Sequence, residues 1–106
     1  MNRVDRWVDD LMRDLESAAE LVARERAVFD ADRAVQLAFE ALSNRVGEAA
    51  KRLIAAEPER FSDDVWALAA RNRDFVVHHY DRIDLDALWE TVARDFPRLR
   101  AALARD

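Results

Sequence analysis

The sequence predicts an all-α fold, and three observations carry that reading. One glycine and two prolines in 106 residues leave little material for turns or strands, whereas Ala, Leu, Arg and Glu favour helix. Apolar residues recur at steps of three and four along four stretches of the chain. Small capping residues stand ahead of three of those stretches. A chain of this length is expected to form one domain, 1–106, burying roughly two thirds of its unfolded surface.

The first stretch steps through Val4, Val8, Leu11, Leu15, Ala18 and Val22, with Trp7 and Met12 widening the stripe. A second helix is expected from about Arg33, after the capping candidates Asp30 and Asp32, through Val35, Phe39, Leu42, Val46, Ala49 and Leu53. Pro58 closes it, because the residue before a proline is biased away from helix. Ser62 and Asp63 can cap a third helix carrying Val65, Leu68, Ala69, Phe75 and Val76. Asp84 caps a fourth, with Leu85, Leu88, Trp89, Val92, Phe96, Leu99 and Leu103 along its stripe. Pro97 lies inside that helix and should kink it or end its regular part. Gly47, the only glycine, sits within the second helix, where it costs about 1 kcal/mol relative to alanine. Its small size is expected to serve a close helix crossing.

Composition narrows the chemistry. There is no cysteine, hence no disulfide framework, thiolate metal site or cysteine nucleophile. A net charge of −5 disfavours loose binding of nucleic acid through bulk charge, so any RNA contact has to be local. No apolar stretch approaches the length of a membrane span and the first residues carry Arg and Asp, which leads to the expectation of a cytoplasmic protein without membrane association.

The run Arg71-Asn72-Arg73-Asp74-Phe75-Val76-Val77-His78-His79-Tyr80 holds the candidate site. It places Arg73, His78 and Tyr80 in the order Arg-x4-His-x-Tyr, and Arg71 offers a second, Arg-x6-His, reading to the same histidine. A guanidinium holds phosphate oxygens with a fork of N–H donors. An imidazole takes or gives a proton near neutral pH. Together with a phenol they suit work on a phosphodiester. On an ideal helix Arg71 and His78 fall within about 20° of one line, whereas Arg73 and His78 diverge by about 140°. Arg73 and His78 therefore converge on one phosphate only if the helix distorts or a second subunit completes the site. Asn72 and His79 are expected to turn toward the apolar stripe, as polar residues satisfied at an interface. The structural alternative makes the arginines a solvated face and His78 a residue favoured at a helix C-terminus by the macrodipole.

Beyond the motif, Gly47-Glu48-Ala49-Ala50-Lys51-Arg52-Leu53, the run Arg73 to Tyr80, Ile83-Asp84-Leu85 followed by Trp89, and Phe96-Pro97 resemble the HepT family of minimal HEPN domains over about residues 33 to 103. The resemblance implies an antiparallel four- to five-helix bundle that forms a homodimer, bringing two motifs into one RNA-cleaving cleft. It also implies a toxin paired with an MntA-type nucleotidyltransferase antitoxin that transfers AMP onto the motif tyrosine. Carried onto this chain, His78 is the acid–base residue, Arg73 the phosphate clamp, and Tyr80 both a site residue and the AMPylation target. Asp74 corresponds to the polar residue after the family's arginine. The doubled Arg71-Asn72-Arg73-Asp74 departs from the pattern and leaves two registers open.

The leading expectation is a metal-independent endoribonuclease without a cofactor. The chain's two histidines are adjacent and poorly placed to share an ion on a helix, and the motif holds no His-x3-His or Glu-x2-His pair. The competing readings are a non-catalytic nucleotide- or protein-binding dimer, which the acidic charge suits, and a purely structural helical dimer.

Overall fold

The computed structural model describes residues 2–78 and 84–106, with the backbone alone described within 73–78. Helix α1 (Arg3–Val22) opens on Asn2, whose side chain accepts the Asp5 N–H at 2.9 Å, and it buries Leu11, Leu15 and Ala18. Its end is closed by the N–H groups of Ala23 and Arg24, which donate to the Ala19 and Leu21 carbonyls at 3.0 and 3.2 Å. Glu25 then takes a φ of 75°, in the left-handed region, and redirects the chain.

A short helix that the periodicity does not predict follows, α2 (Glu25–Ala31). Its seven residues are too few to establish a stripe, and burial of Phe29 is what draws it onto the bundle.

Helix α3 (Arg33–Ala56) starts at Asp32, whose carboxylate accepts the Ala34 and Val35 N–H groups at 2.9 and 3.4 Å. It ends ahead of Pro58, with the Glu57 N–H returning to the Leu53 carbonyl at 2.9 Å. Helix α4 (Asp64–His78) follows a short turn and is capped by Asp63, which accepts the Val65 N–H at 3.1 Å. Among the described residues the pairing of α3 with α4 is the most extensive, and Gly47 is buried within α3.

On the described part of α4, Ala69 is buried as expected but the buried face shifts toward Trp66, and the Phe75 and Val76 side chains lie outside the described residues. Trp66 is buried against Phe61, ring centres 4.7 Å apart and edge-on, while Val65 and Leu68 are only half-buried.

Asp84 caps α5 (Leu85–Glu90) by accepting the Ala87 N–H at 3.1 Å. The effect expected of Pro97 takes a specific form. Proline has no N–H for the carbonyl four residues back, and its ring crowds that carbonyl. The preceding turn widens into a π-helical segment, Thr91–Asp95, in which the Phe96 N–H reaches back to the Thr91 carbonyl. The chain then continues as α6 (Phe96–Arg105), with Pro97 in its first turn.

Opposite chain directions are marked by side chains that cross between α1 and α3. Arg45 pairs with Asp14 at 3.0 Å, and Arg52 lies over the Trp7 ring 5.1 Å from its centre. Rising numbers on α3 meet falling numbers on α1, so the two helices are antiparallel. The core between the helices centres on Leu11, Leu15, Phe39, Leu53, Leu88 and Leu99. The expected all-α bundle is what the structure shows, with no strand among the described residues. Among those residues no helix is long and apolar enough to cross a membrane.

Candidate active site on helix α4

The C-terminal half of α4 carries the motif from Arg71 to His78. Arg71, Asn72, Arg73, Asp74 and His78 lie on one continuous helical backbone, with His78 its last residue. Arg71 is exposed to solvent and Asn72 is half-buried. His79 and Tyr80 lie outside the described residues, as do the side chains of Arg73, Asp74 and His78. The structure thus places the arginines and His78 on one helix, and the tyrosine part of the motif falls beyond the description.

Asn72 has a defined partner. Its Nδ2 donates to the Asp95 carboxylate, Asn72 Nδ2 to Asp95 Oδ2, at 3.1 Å. Asp95 is the last residue of the π segment, so the bond joins the motif helix to the one irregular turn of the neighbouring helix. The expectation that Asn72 is a polar residue satisfied at an interface is met within the subunit.

A sequence reading that stops at the motif misses Asp95. The available signal was Phe96-Pro97, since a proline inside a helical stripe announces a disturbed turn just before it.

The chain that re-enters after the motif is anchored by aromatic packing. Trp89 of α5 stacks on Phe39 of α3 with ring centres 5.6 Å apart, and Phe29 of α2 lies 4.6 Å from Phe39. Arg26 covers this cluster, 5.6 Å from the ring centres of both Phe29 and Trp89, while its guanidinium pairs with Asp30 at 2.8 Å and Asp86 at 2.6 Å. Those two carboxylates raise the Arg26 pKa further, chiefly through the hydrogen bond that Arg26 donates to Asp30. Arg26 therefore stays cationic at every physiological pH.

Two grooves flank α1. One of about 250 Å³ lies against α3 between Trp7, Arg45 and Arg52. The other, about 330 Å³ and mostly apolar, lies between Ala18, Val22, Phe96 and Pro97. Among the described residues, none of α4 lines either groove. Among the described residues no three His, Cys, Asp or Glu side chains gather as a metal would require.

A family model described as ribonuclease HepT-like matches residues 11–105. The chain belongs to the HepT-like ribonuclease family. A Thermococcus cleftensis protein named "Probable ribonuclease HepT" is 33% identical over 97 residues, covering 86% of this chain and 87% of that protein. A Methanocaldococcus jannaschii protein named "Gamma-glutamylcyclotransferase and putative RNase" is 32% identical over 60 residues, 57% of this chain and 27% of that protein. No solved structure matches the chain at a comparable level. The HepT-like match includes the whole run from Arg71 to Tyr80 and extends through Asp95.

Proposed function

We propose that this HepT-like chain is a metal-independent endoribonuclease that acts as the toxin of a toxin–antitoxin pair. The observation that carries the reading is the family match over residues 11–105, which contains an uninterrupted Arg-x4-His-x-Tyr. His78 takes the proton from a ribose 2′-hydroxyl, whose oxygen attacks the adjacent phosphorus as the bond to the 5′-oxygen breaks. A protonated imidazole returns a proton to that leaving oxygen. The products are a 2′,3′-cyclic phosphate and a 5′-hydroxyl. DNA is spared because it lacks the attacking group.

Arg73 holds the phosphoryl oxygens as negative charge grows on them. The hydrogen bond from Asn72 to Asp95 supports this register, because it commits the side chain after Arg71 to helix packing. The angular divergence of positions 73 and 78 along a helix supports a homodimer in which two motifs share one cleft.

In the same proposal Tyr80 accepts AMP from an MntA-type nucleotidyltransferase. The added phosphodiester is anionic and bulky, so beside Arg73 and His78 it occupies the clamp and repels substrate phosphate. Expression of the chain in bacteria should slow growth, His78→Ala should relieve it, and co-expression of the cognate nucleotidyltransferase should raise the toxin's mass by one or more AMP. Unchanged mass of the wild type, or full modification of Tyr80→Phe, rejects the AMPylation step. A folded His78→Ala protein of undiminished toxicity rejects the catalytic assignment.

The net charge of −5 favours one other reading, a non-catalytic dimer that binds a nucleotide or protein through the same residues. It predicts RNA or partner retention without new RNA ends.

A further inference from the structure

We propose that Asp95 is a positioning residue for the α4 motif: its carboxylate, carried into place by the π segment, holds Asn72 and so fixes the rotation of the helix immediately before Arg73. The proposal rests on the ribonuclease reading for its catalytic consequence and on the geometry for its mechanism. Asn72 and Asp95 are both half-buried, 23 positions apart, and joined at 3.1 Å. A carboxylate offers only acceptors, so the Asn72 amide must present its NH2 and its orientation is set by chemistry. Arg94, the cation next to Asp95 in sequence, is engaged elsewhere, with Glu90 at 2.9 Å.

The π segment is what brings Asp95 to α4. A π turn takes up one more residue than an α turn, so the residue at its end points in a different direction from the one a straight helix would give it. Pro97 maintains that turn by denying the α-helical bond. The molecule thus uses an irregularity in one helix to grip its neighbour next to the motif.

The grip matters because a helix is a lever for its side chains. A rotation of about 20° displaces the end of an arginine, roughly 6 Å or more from the axis, by about 2 Å. A misplacement of about 1 Å can cost about a hundredfold in rate when groups must meet in one geometry. Asn72 is adjacent to Arg73 and about one and two-thirds turns before His78, so a loosened Asn72 is felt at both.

The full-length protein should be prepared as wild type, Asn72→Ala, Asp95→Ala, the double variant, and the exchange Asn72→Asp with Asp95→Asn. The exchange rebuilds the bond with donor and acceptor reversed. Cleavage of a model RNA is measured below every variant's unfolding temperature, alongside backbone hydrogen exchange. Each alanine variant should lower kcat about tenfold with KM within about twofold, the double variant should be no worse than the singles, and the exchange should restore most of kcat. Exchange at the amides of residues 73–78 should accelerate in Asp95→Ala while α1 and α3 keep their protection.

Unchanged kcat, or losses that multiply with no recovery in the exchange variant, overturns the proposal. A direct catalytic role for Asn72 would show as loss in Asn72→Ala with Asp95→Ala unaffected, which also overturns it. Wild-type protein that cleaves no RNA refutes the ribonuclease reading instead. The exchange measurement then decides the link alone: acceleration confined to residues 73–78 sustains it and unchanged protection there removes it.

Discussion

Trp89 lies flat on Phe39, with ring centres 5.6 Å apart and planes 13° from parallel. Phe39 is fully buried and also meets Phe29, so this stack ties α5, the first helix after the motif, to α3 and α2. Offset stacked rings add about 0.5–1.5 kcal/mol beyond the area they bury. Phe39→Ala should cost about 3–5 kcal/mol, a large part of what holds a domain of this size, and Phe39→Leu less than half of that. Urea unfolding followed by tryptophan fluorescence reads both changes. A loss below about 1 kcal/mol for Phe39→Ala would mean that the stack does not anchor α5.

Ser43 presents the opposite case. It is buried in α3 at 1% exposure, and its hydroxyl finds no hydrogen-bond partner among the described residues. An unsatisfied buried hydroxyl costs about 1–3 kcal/mol. Ser43→Ala should therefore stabilise the protein by about 1 kcal/mol, measured as a higher urea midpoint at unchanged slope. A less stable Ser43→Ala protein would show that the hydroxyl is bonded in solution.

Glu25 is the one non-glycine residue with positive φ among the described residues, at 75°. The left-handed region costs a residue with a Cβ about 1–2 kcal/mol, and glycine escapes that cost while losing more freedom on folding. Glu25→Gly should raise stability by about 0.5–1 kcal/mol. Glu25→Val should lower it, because a β-branched side chain tolerates this conformation least. Thermal unfolding of the three proteins should rank them Gly, Glu, Val.

Much of the scaffold was legible in the residues because its signals are local. Asp32, Asp63 and Asp84 each cap the helix that the sequence assigns to them, and Pro58 follows the end of α3 as expected. What the sequence concealed depends on tertiary contacts. Helix α2 is too short to show a period and is held by Phe29. Trp66 is buried because Phe61, from the turn before α4, folds over it, and the spacing of Val65 and Leu68 could not reveal that. At the candidate site the Arg-x4-His-x-Tyr element was readable outright, and so was the place of Arg73 and His78 on a helix. The bond from Asn72 to Asp95 was not, since it depends on a π turn whose only trace in the sequence is Pro97.

The doubled arginine gives a prediction that separates the two registers. Arg73→Ala should cost about 2–4 kcal/mol of transition-state stabilisation, the amount lost when a preorganised donor to a developing anion is removed. Exposed Arg71→Ala should cost less than about 1 kcal/mol, as a solvated charge that assists binding. Single-turnover rates of RNA cleavage compare the two directly. The reverse ranking would assign the clamp to Arg71, and equal small effects would reject a phosphate clamp on α4.

The central claim is that His78 performs transesterification of RNA, and the ends it leaves on RNA test this most directly. Purified protein, incubated with an end-labelled single-stranded RNA in the presence of EDTA, should yield fragments with 2′,3′-cyclic phosphate and 5′-hydroxyl ends. Substrate with a 2′-deoxy residue at the cleaved position should remain intact there, and folded His78→Ala protein should fall at least about a hundredfold in rate, within the range that general acid–base catalysis contributes. Fragments bearing 5′-phosphate ends, cleavage abolished by EDTA, or full activity in His78→Ala would contradict the account.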